Sequence, residues 1–337
     1  MPKIAIVGTG LIGTSLALAL RNSSLLDLQL VGTDSSGGAR SGAQKSGAFD
    51  HMENRLLNAV EGADIVVLAT PIIAMKELLE VLASNLPEGC VVTDVGSSKQ
   101  TVLEWADQYL PENVHFVGGH PMAGRETAGP ENADPNLFRG STYCVIPSAK
   151  ASERAAAEIT TMVEAIEATP YYISAGEHDS FVAAVSHLPF LLSVALVGCT
   201  SESPNWDDIA RVASSGYHDL TRLASGDTVM HRDICVTNPE PIVAWIDSFI
   251  RELYKVRQLL GDSENLDQSA ILDLFVKARD ERNRWLAGEF GPQARQYNPH
   301  TELPTFAQSM GDMFVGRRLQ DVQRRLFRGG RDEDRRR

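Results

Sequence analysis

The sequence predicts an α/β protein, a doubly wound parallel sheet followed by an all-α helical domain. Three observations carry this. Short β-branched runs alternate with helical patterns as far as about residue 174, as expected for a parallel sheet covered on both faces. A glycine-rich turn, GTGLIG, joins the first strand to the first helix. Beyond residue 174, apolar residues recur almost only at helical spacing.

The elements follow in order. KIAIVG (3–8) is a continuous apolar strand, LIGTSLALALRNS (11–23) a helix and LQLVGTD (28–34) a second strand. ADIVVLATP (63–71) precedes the helix IAMKELLEVLASNL, and CVVTDVGS (90–97) precedes the helix KQTVLEWADQYL. VHFVGGH (114–120) and STYCVIP (141–147) are further strands, 151–167 is an alanine-rich helix, and TPYYIS (169–174) closes the series. HDSFVAAVSHLPFLLSVALVG, WDDIARVAS, PEPIVAWIDSFIRELYKVRQLLGD and LDQSAILDLFVKARDERNRWLAG then read as helices. The predicted division is 1–174 and 175–337, with a C-terminal extension from about 262 and a basic tail. That tail, RRLQDVQRRLFRGGRDEDRRR, reads as an amphipathic helix and a solvated end. The apolar helices are hard to bury within one small domain, which points to a homodimer formed through them.

Bulk properties narrow the function. The 337 residues are 43% hydrophobic and 22% charged, enough for about two domains with real cores. A net charge of −13 disfavours nucleic acid and anionic membranes as partners. The four cysteines show no C-x-x-C, and three lie in apolar runs, the usage of small buried hydrophobes in a reducing compartment. MPKIAIVG passes straight into a strand, so no leader is expected. The longest apolar run, LPFLLSVALVG, is too short to span a bilayer and contains a proline. A soluble, cytoplasmic protein is expected.

The GTGLIG turn spans Gly8, Thr9, Gly10, Leu11, Ile12 and Gly13. G-x-G-x-x-G is weak alone, but after a strand and before a helix it predicts a Rossmann-like dinucleotide site. The first glycine permits the turn, the second lets a pyrophosphate approach, and the third lets helix and strand pack. Asp34 ends the second strand 21 residues past Gly13. A carboxylate there accepts from the adenine-ribose hydroxyls and repels a 2′-phosphate, which favours NAD over NADP. The following SSGGARSG, with Arg40, leaves a phosphate-tolerant alternative open. Thr70 and Pro71, after the ADIVVLATP strand, are expected on the cofactor side.

Ligands of such sheets bind beyond the carboxyl ends of the strands. There DVGSSK (94–99) and GGHPMAG (118–124) bring Ser97 and His120 towards the nicotinamide. GGHPMAGRETAGP is too broken for helix and too poor in apolar residues for a buried strand, so His120 is expected on a ligand-facing loop. An imidazole there can take a proton from an alcohol as hydride leaves the same carbon. His178 and His187 are nine apart, which puts them on opposite sides of an ideal helix and rules out an H-x-x-x-H pair; no metal is predicted. His187 reads equally as a core histidine or as a substrate residue. In the polar island 214–238, Arg232 and Asp233 read as solvated charges, and Arg222 reads as a carboxylate clamp.

GxGLIGxSLA, DVGSxK, GGHPMAGxExxG, the HD…VSHLP helix and the TRLASGD…RDI island occur in that order over about residues 4–240. Together they resemble the prephenate/arogenate dehydrogenases. The resemblance implies a Rossmann-like domain plus a helical dimerisation domain. It also implies NAD-dependent oxidative decarboxylation of a cyclohexadienyl substrate in tyrosine biosynthesis. His120 then matches the catalytic histidine that takes the ring-hydroxyl proton, and Ser97 the serine that bonds histidine and substrate. Arg222 matches the carboxylate-binding arginine, Glu126 an acidic residue at the site entrance, and Asp219 a gate residue. His187 falls in the SHLP element on the substrate side. Two departures stand out: Phe190 in SHLPF replaces a substrate-contacting histidine, and His231 replaces the usual tryptophan. They leave prephenate and arogenate as alternatives. The rivals are a hydroxyacid- or pyrroline-carboxylate-type dehydrogenase, against which the GGHPMAG loop argues, and a non-catalytic NAD-binding relative.

Overall fold

The computed structural model describes residues 1–25, 27–125, 127–261 and 265–290. The sheet strands are β1 (Lys3–Val7), β2 (Gln29–Thr33), β3 (His51–Glu53), β4 (Ile65–Leu68), β5 (Val91–Asp94), β6 (His115–Pro121), β7 (Thr142–Pro147) and β8 (Thr169–Tyr172). Helices α1 (Leu11–Arg21), α2 (Gly37–Lys45), α3 (Leu56–Val60), α4 (Ile72–Leu82), α5 (Gln100–Tyr109) and α6 (Glu153–Ala165) alternate with them. The strands form one eight-stranded sheet in the order β3-β2-β1-β4-β5-β6-β7-β8. Its central strands are buried on both faces, which is why they read as unbroken apolar runs.

One core packs α1 and α6 onto a face of the sheet, with Leu16, Leu20, Ile159 and Val163 at its centre. The other packs α4 and α5 onto the opposite face through Met75, Leu79, Val102 and Ala106, and Ala183, Phe190 and Ile234 from the later helices join it. Val7 pairs with both Thr33 and Leu68, Leu68 with Asp94, and Thr93 with Val117. The carboxyl ends of β1, β4, β5 and β6 therefore lie along one edge, and β1 between β2 and β4 marks the point where strand order reverses.

The sheet departs from the all-parallel expectation at β7, which runs antiparallel to β6, with His120 opposite Cys144. Among the described residues of the connection between them, 122–141, there is a single 3-10 turn and no crossover helix, so the chain returns alongside β6 in the opposite direction. His120 and Pro121 are consequently the last residues of a buried strand, which corrects the loop expectation. Gly118 and Gly119 are required by packing inside this sheet. A Cβ at Gly119 would lie 2.5 Å from the Asp94 carbonyl oxygen and 2.8 Å from Tyr143 Oη. Helices α2 and α3 and strand β3 had no counterpart in the sequence reading; Ser36 caps α2 by accepting from the Ala39 N–H.

The helical part begins with α7 (Ala175–Val182), opened by a Ser174/Glu177 capping box. A π turn, Ala183–His187, links it to α8 (Leu188–Ser201). Pro189 has no N–H to give the preceding turn, and the ladder widens just before it. Then come α9 (Trp206–Arg211), α10 (Ser215–Thr221), α11 (Thr228–Thr237), α12 (Pro239–Gly261) and α13 (Gln268–Leu286). The chain forms two compact units, Met1–Leu253 and Tyr254–Arg337. In the second, Asp267 caps α13 through the Ser269 and Ala270 N–H groups. The basic tail and most of the expected C-terminal extension lie outside the described residues.

Two further expectations need correction. The continuous helical run Ala175–Ser201 is 27 residues long and apolar enough, by length and composition, to cross a membrane. The run-length argument missed this because helix continues upstream of LPFLLSVALVG. Cys199 is exposed, whereas Cys90 and Cys144 are buried and Cys235 half-buried; all four are free thiols. Cys199 lies on α8, whose apolar residues are only partly covered within the single chain.

Candidate active site

The glycine turn forms a cradle at the carboxyl end of β1. Gly8 has φ +97°, and a Cβ there would collide with the Ala69 carbonyl; a Cβ on Gly13 would collide with the Gly8 carbonyl. Both glycines are thus demanded by the fold itself. Gly10 differs, since a Cβ there would meet nothing within 4 Å. Gly10 is also the N-cap of α1, with no side-chain cap and no acidic residue in the first turn. The uncapped amides and open approach fit a dinucleotide pyrophosphate.

Asp34 stands beside this cradle, its Oδ2 accepting from the Thr9 N–H at 2.7 Å and its Oδ1 from the Ser36 N–H at 2.8 Å. Oδ2 also accepts from the Thr9 hydroxyl at 3.5 Å, and Oδ1 keeps a lone pair for a ribose hydroxyl. Arg40 Nη1 donates to the Asp34 and Ser35 carbonyls. Thr9 and Leu11 are buried and Ile12 is half-buried against the core. Thr70 and Pro71 follow β4, with Pro71 as the N-cap of α4.

Three strands from β1, His120 sits at the end of β6, 8% exposed. Its Nδ1 is 2.9 Å from His178 Nε2, and His178 Nδ1 is 2.7 Å from Asp179 Oδ1. Asp179 also accepts the backbone N–H groups of Lys99 (2.8 Å) and Gln100 (2.9 Å) at the start of α5. Burial, followed by the field of His178, Lys99 and His187, holds the His120 pKa well below 6.5. His120 is therefore neutral at pH 7, as a base must be. Beside it lies a fully buried ion pair, Lys99–Asp94. Lys99 Nζ also donates to the Gly119 carbonyl at 2.8 Å, and Asp94 accepts the N–H groups of Gly96 and Gly119. This network ties the β5 loop to the end of β6.

His187 is fully buried, its Nδ1 3.2 Å from Asn238 Nδ2 and its Nε2 without a hydrogen-bond partner among the described residues. Burial is the main cause that lowers its pKa to about 4. A π turn, Ala183–His187, lies between His178 and His187 and widens the helix there. Asn238 Nδ2 reaches both the Asp179 carbonyl and His187 Nδ1.

Phe190 stacks face to face on His231, with centroids 4.2 Å apart and an interplanar angle of 5°. Asp233 is wholly buried and accepts the Ile73 N–H at the start of α4, so the solvated reading of that charge is wrong. Its partner Arg232 is exposed.

The remaining sequence-derived residues are less gathered. Ser97 is half-buried on the loop after β5 and is not among the hydrogen-bond partners of His120. Arg222 is exposed in the 3-10 turn Arg222–Ser225. Asp219 is exposed and faces His218 at 3.4 Å. Glu126 lies outside the described residues. No group of three metal-ligating side chains occurs among the described residues. Sequence reasoning missed His178, Asp179 and Lys99 as neighbours of His120; the adjacent acid and histidine of EHD were the available signal.

A dinucleotide cradle where the strand order reverses, with a buried neutral imidazole three strands away, defines a nicotinamide-dependent dehydrogenase. The family model for the prephenate dehydrogenase nucleotide-binding domain matches residues 16–172, and that for the prephenate dehydrogenase dimerization domain matches 174–274. The prephenate dehydrogenase of Bacillus subtilis (strain 168) is 33% identical over 89% of this chain and 81% of its own. Among solved structures, A. aeolicus prephenate dehydrogenase in complex with hydroxyphenyl propionate and NAD+ shares 29% identity and a TM-score of 0.76, covering 83% of this chain and 98% of that one. The Synechocystis arogenate dehydrogenase shares 28% identity and a TM-score of 0.70, covering 83% and 99%. The chain belongs to the prephenate dehydrogenase family, and its cofactor is NAD.

Proposed function

We propose that this chain converts prephenate to 4-hydroxyphenylpyruvate, with loss of carbon dioxide, as a step of tyrosine biosynthesis. The observation that carries the mechanism is the buried neutral His120, whose Nδ1 is engaged by His178. Its Nε2 is left to receive the proton of the substrate ring hydroxyl. NAD held by the Gly8–Gly13 turn and Asp34 would supply the acceptor for the hydride of the hydroxyl-bearing carbon. The carboxylate carbon–ring bond then breaks, its electron pair makes the ring aromatic, and His120 returns its proton to the phenolate oxygen.

Gly8, Thr9, Gly10, Leu11, Ile12 and Gly13 form the pyrophosphate turn, Asp34 binds the adenine ribose, and Thr70 and Pro71 line the cofactor side. Ser97 orients the substrate hydroxyl, and Arg222 binds a substrate carboxylate, the role its planar fork suits. His187, which faces the Ser97 backbone, stands on the substrate side. Asp219 and Glu126 stand at the entrance. Residues 1–174 hold the cofactor, and the helical part that begins at residue 175 binds the substrate and forms a homodimer in the cytoplasm.

Arogenate is a second reading favoured by one observation. The position that would read the substrate side chain is Phe190, which cannot hydrogen-bond and is covered by the His231 ring. NADH formation measured with prephenate, arogenate and simple hydroxyacids tests both readings. Turnover of prephenate supports the first, preference for arogenate the second, and turnover of neither cyclohexadiene overturns both.

A further inference from the structure

We infer that Asp179 and His178 form a positioning dyad that fixes the tautomer of His120, a deepening that rests on the proposed function above. The chain of contacts is directional. Backbone amides only donate, so the Lys99 and Gln100 N–H groups commit both Asp179 oxygens as acceptors. Asp179 Oδ1 then takes the proton-bearing Nδ1 of His178 at 2.7 Å. That leaves a lone pair on His178 Nε2, which accepts from His120 Nδ1 at 2.9 Å. A neutral His120 so held has its lone pair on Nε2, the nitrogen that receives the substrate proton.

The dyad does two things. It selects the Nδ1–H tautomer, which is not the tautomer a solvated imidazole prefers. It also places a carboxylate one ring away from the imidazolium formed when His120 is protonated, offsetting Lys99 and the burial that oppose that charge. The arrangement is rigid by construction. All three groups are at most 8% exposed, the two rings meet edge to face at 67° with centroids 5.1 Å apart, and Asn238 Nδ2 holds the Asp179 carbonyl at 2.9 Å. The logic is that of the hydrolase triad, with a second imidazole between the carboxylate and the base.

The test uses the full chain and the variants Asp179→Asn and His178→Phe. Asp179→Asn keeps size and one acceptor but loses the charge; His178→Phe keeps a ring but breaks the relay. Each is expected to lower kcat for prephenate by roughly two to four decades, with NAD affinity and KM within about threefold. In Asp179→Asn, loss of the negative charge lowers the His120 pKa further, so the acid limb of the kcat–pH profile should move to lower pH. A cap that only supported α5 would lower the plateau without moving that limb. Independently of turnover, nitrogen-15 NMR of histidine-labelled protein should find the His120 proton on Nδ1 in the wild type and moved to Nε2 in Asp179→Asn. A wild-type proton on Nε2 overturns the dyad, as does an unmoved acid limb in a folded Asp179→Asn protein. If the wild type turns over no cyclohexadiene while the tautomer shift is seen, the proposed reaction fails and the dyad stands.

Discussion

In the proposed reaction His120 reads a hydroxyl and Phe190 faces the far end of the substrate. His120→Asn removes the base but not the cradle around Gly10. The expected result is a kcat lower by roughly two to four decades with NAD binding almost intact, measured by steady-state kinetics and nucleotide titration; near-normal turnover would make the imidazole structural. His187 gives a stability prediction. Its pKa falls from 6.5 to about 4 on folding, chiefly by burial. Between those values the unfolded chain binds a proton that the folded chain refuses, so stability present above pH 6.5 is lost as pH falls towards 4. The loss is on the order of 3 kcal/mol, and His120, also depressed, adds in the same direction. Denaturant titrations at pH 7 and pH 4.5 should show it, and His187→Gln should flatten the dependence. For Phe190, the stack on His231 implies recognition without a hydrogen bond at that position. Phe190→His should raise kcat/KM for prephenate relative to arogenate by about tenfold, roughly 1.4 kcal/mol. An unchanged ratio would remove Phe190 from the specificity argument.

Helices α4 and α5 begin at the ligand edge of the sheet, and each is met there by a carboxylate from the helical part. Asp233 of α11 takes the Ile73 N–H, and Asp179 of α7 takes those of Lys99 and Gln100. Ser98 and Thr101 add contacts to Thr237. Buried acids on helix N-termini satisfy orphan amides and the local dipole together, so they dock the two layers as well as cap. Asp233→Ala should cost about 1–3 kcal/mol, seen as a lower thermal midpoint with little change in kcat; an unaltered midpoint would show that water replaces the cap. None of this was legible from the residues. A carboxylate in a mixed polar island reads as solvated unless its remote partner amide is known. The glycine turn, Asp34 and the strand–helix alternation were legible because their causes are local: a positive φ at Gly8, a short turn, β-branched runs. The antiparallel β7 was not, since STYCVIP looks the same in either direction. The π turn at Ala183–His187 was not legible either, since its widened ladder depends on the missing N–H of Pro189 in its helical context.

The apolar surface of the helical part gives the remaining argument. In the single chain Val185 is 77% exposed, Leu220 67%, Val236 60% and Val243 54%. Exposed apolar area of this extent marks an interaction surface, and it could face a membrane or a second copy. The run Ala175–Ser201 passes the length and composition test for a span. Yet that run carries His178, Asp179 and His187, all buried, in bonds to His120, α5 and Asn238. Lifting it into lipid would strip those groups of partners at several kcal/mol each. A second copy covers the apolar residues and leaves the polar ones in place. Sedimentation should therefore give a particle of twice the 36.7 kDa chain mass without detergent. The pair Val185→Lys and Val243→Lys should shift it towards monomer at micromolar concentration and lower its thermal midpoint. A wild-type protein that sediments as a monomer, or that needs detergent to stay in solution, would overturn the dimer.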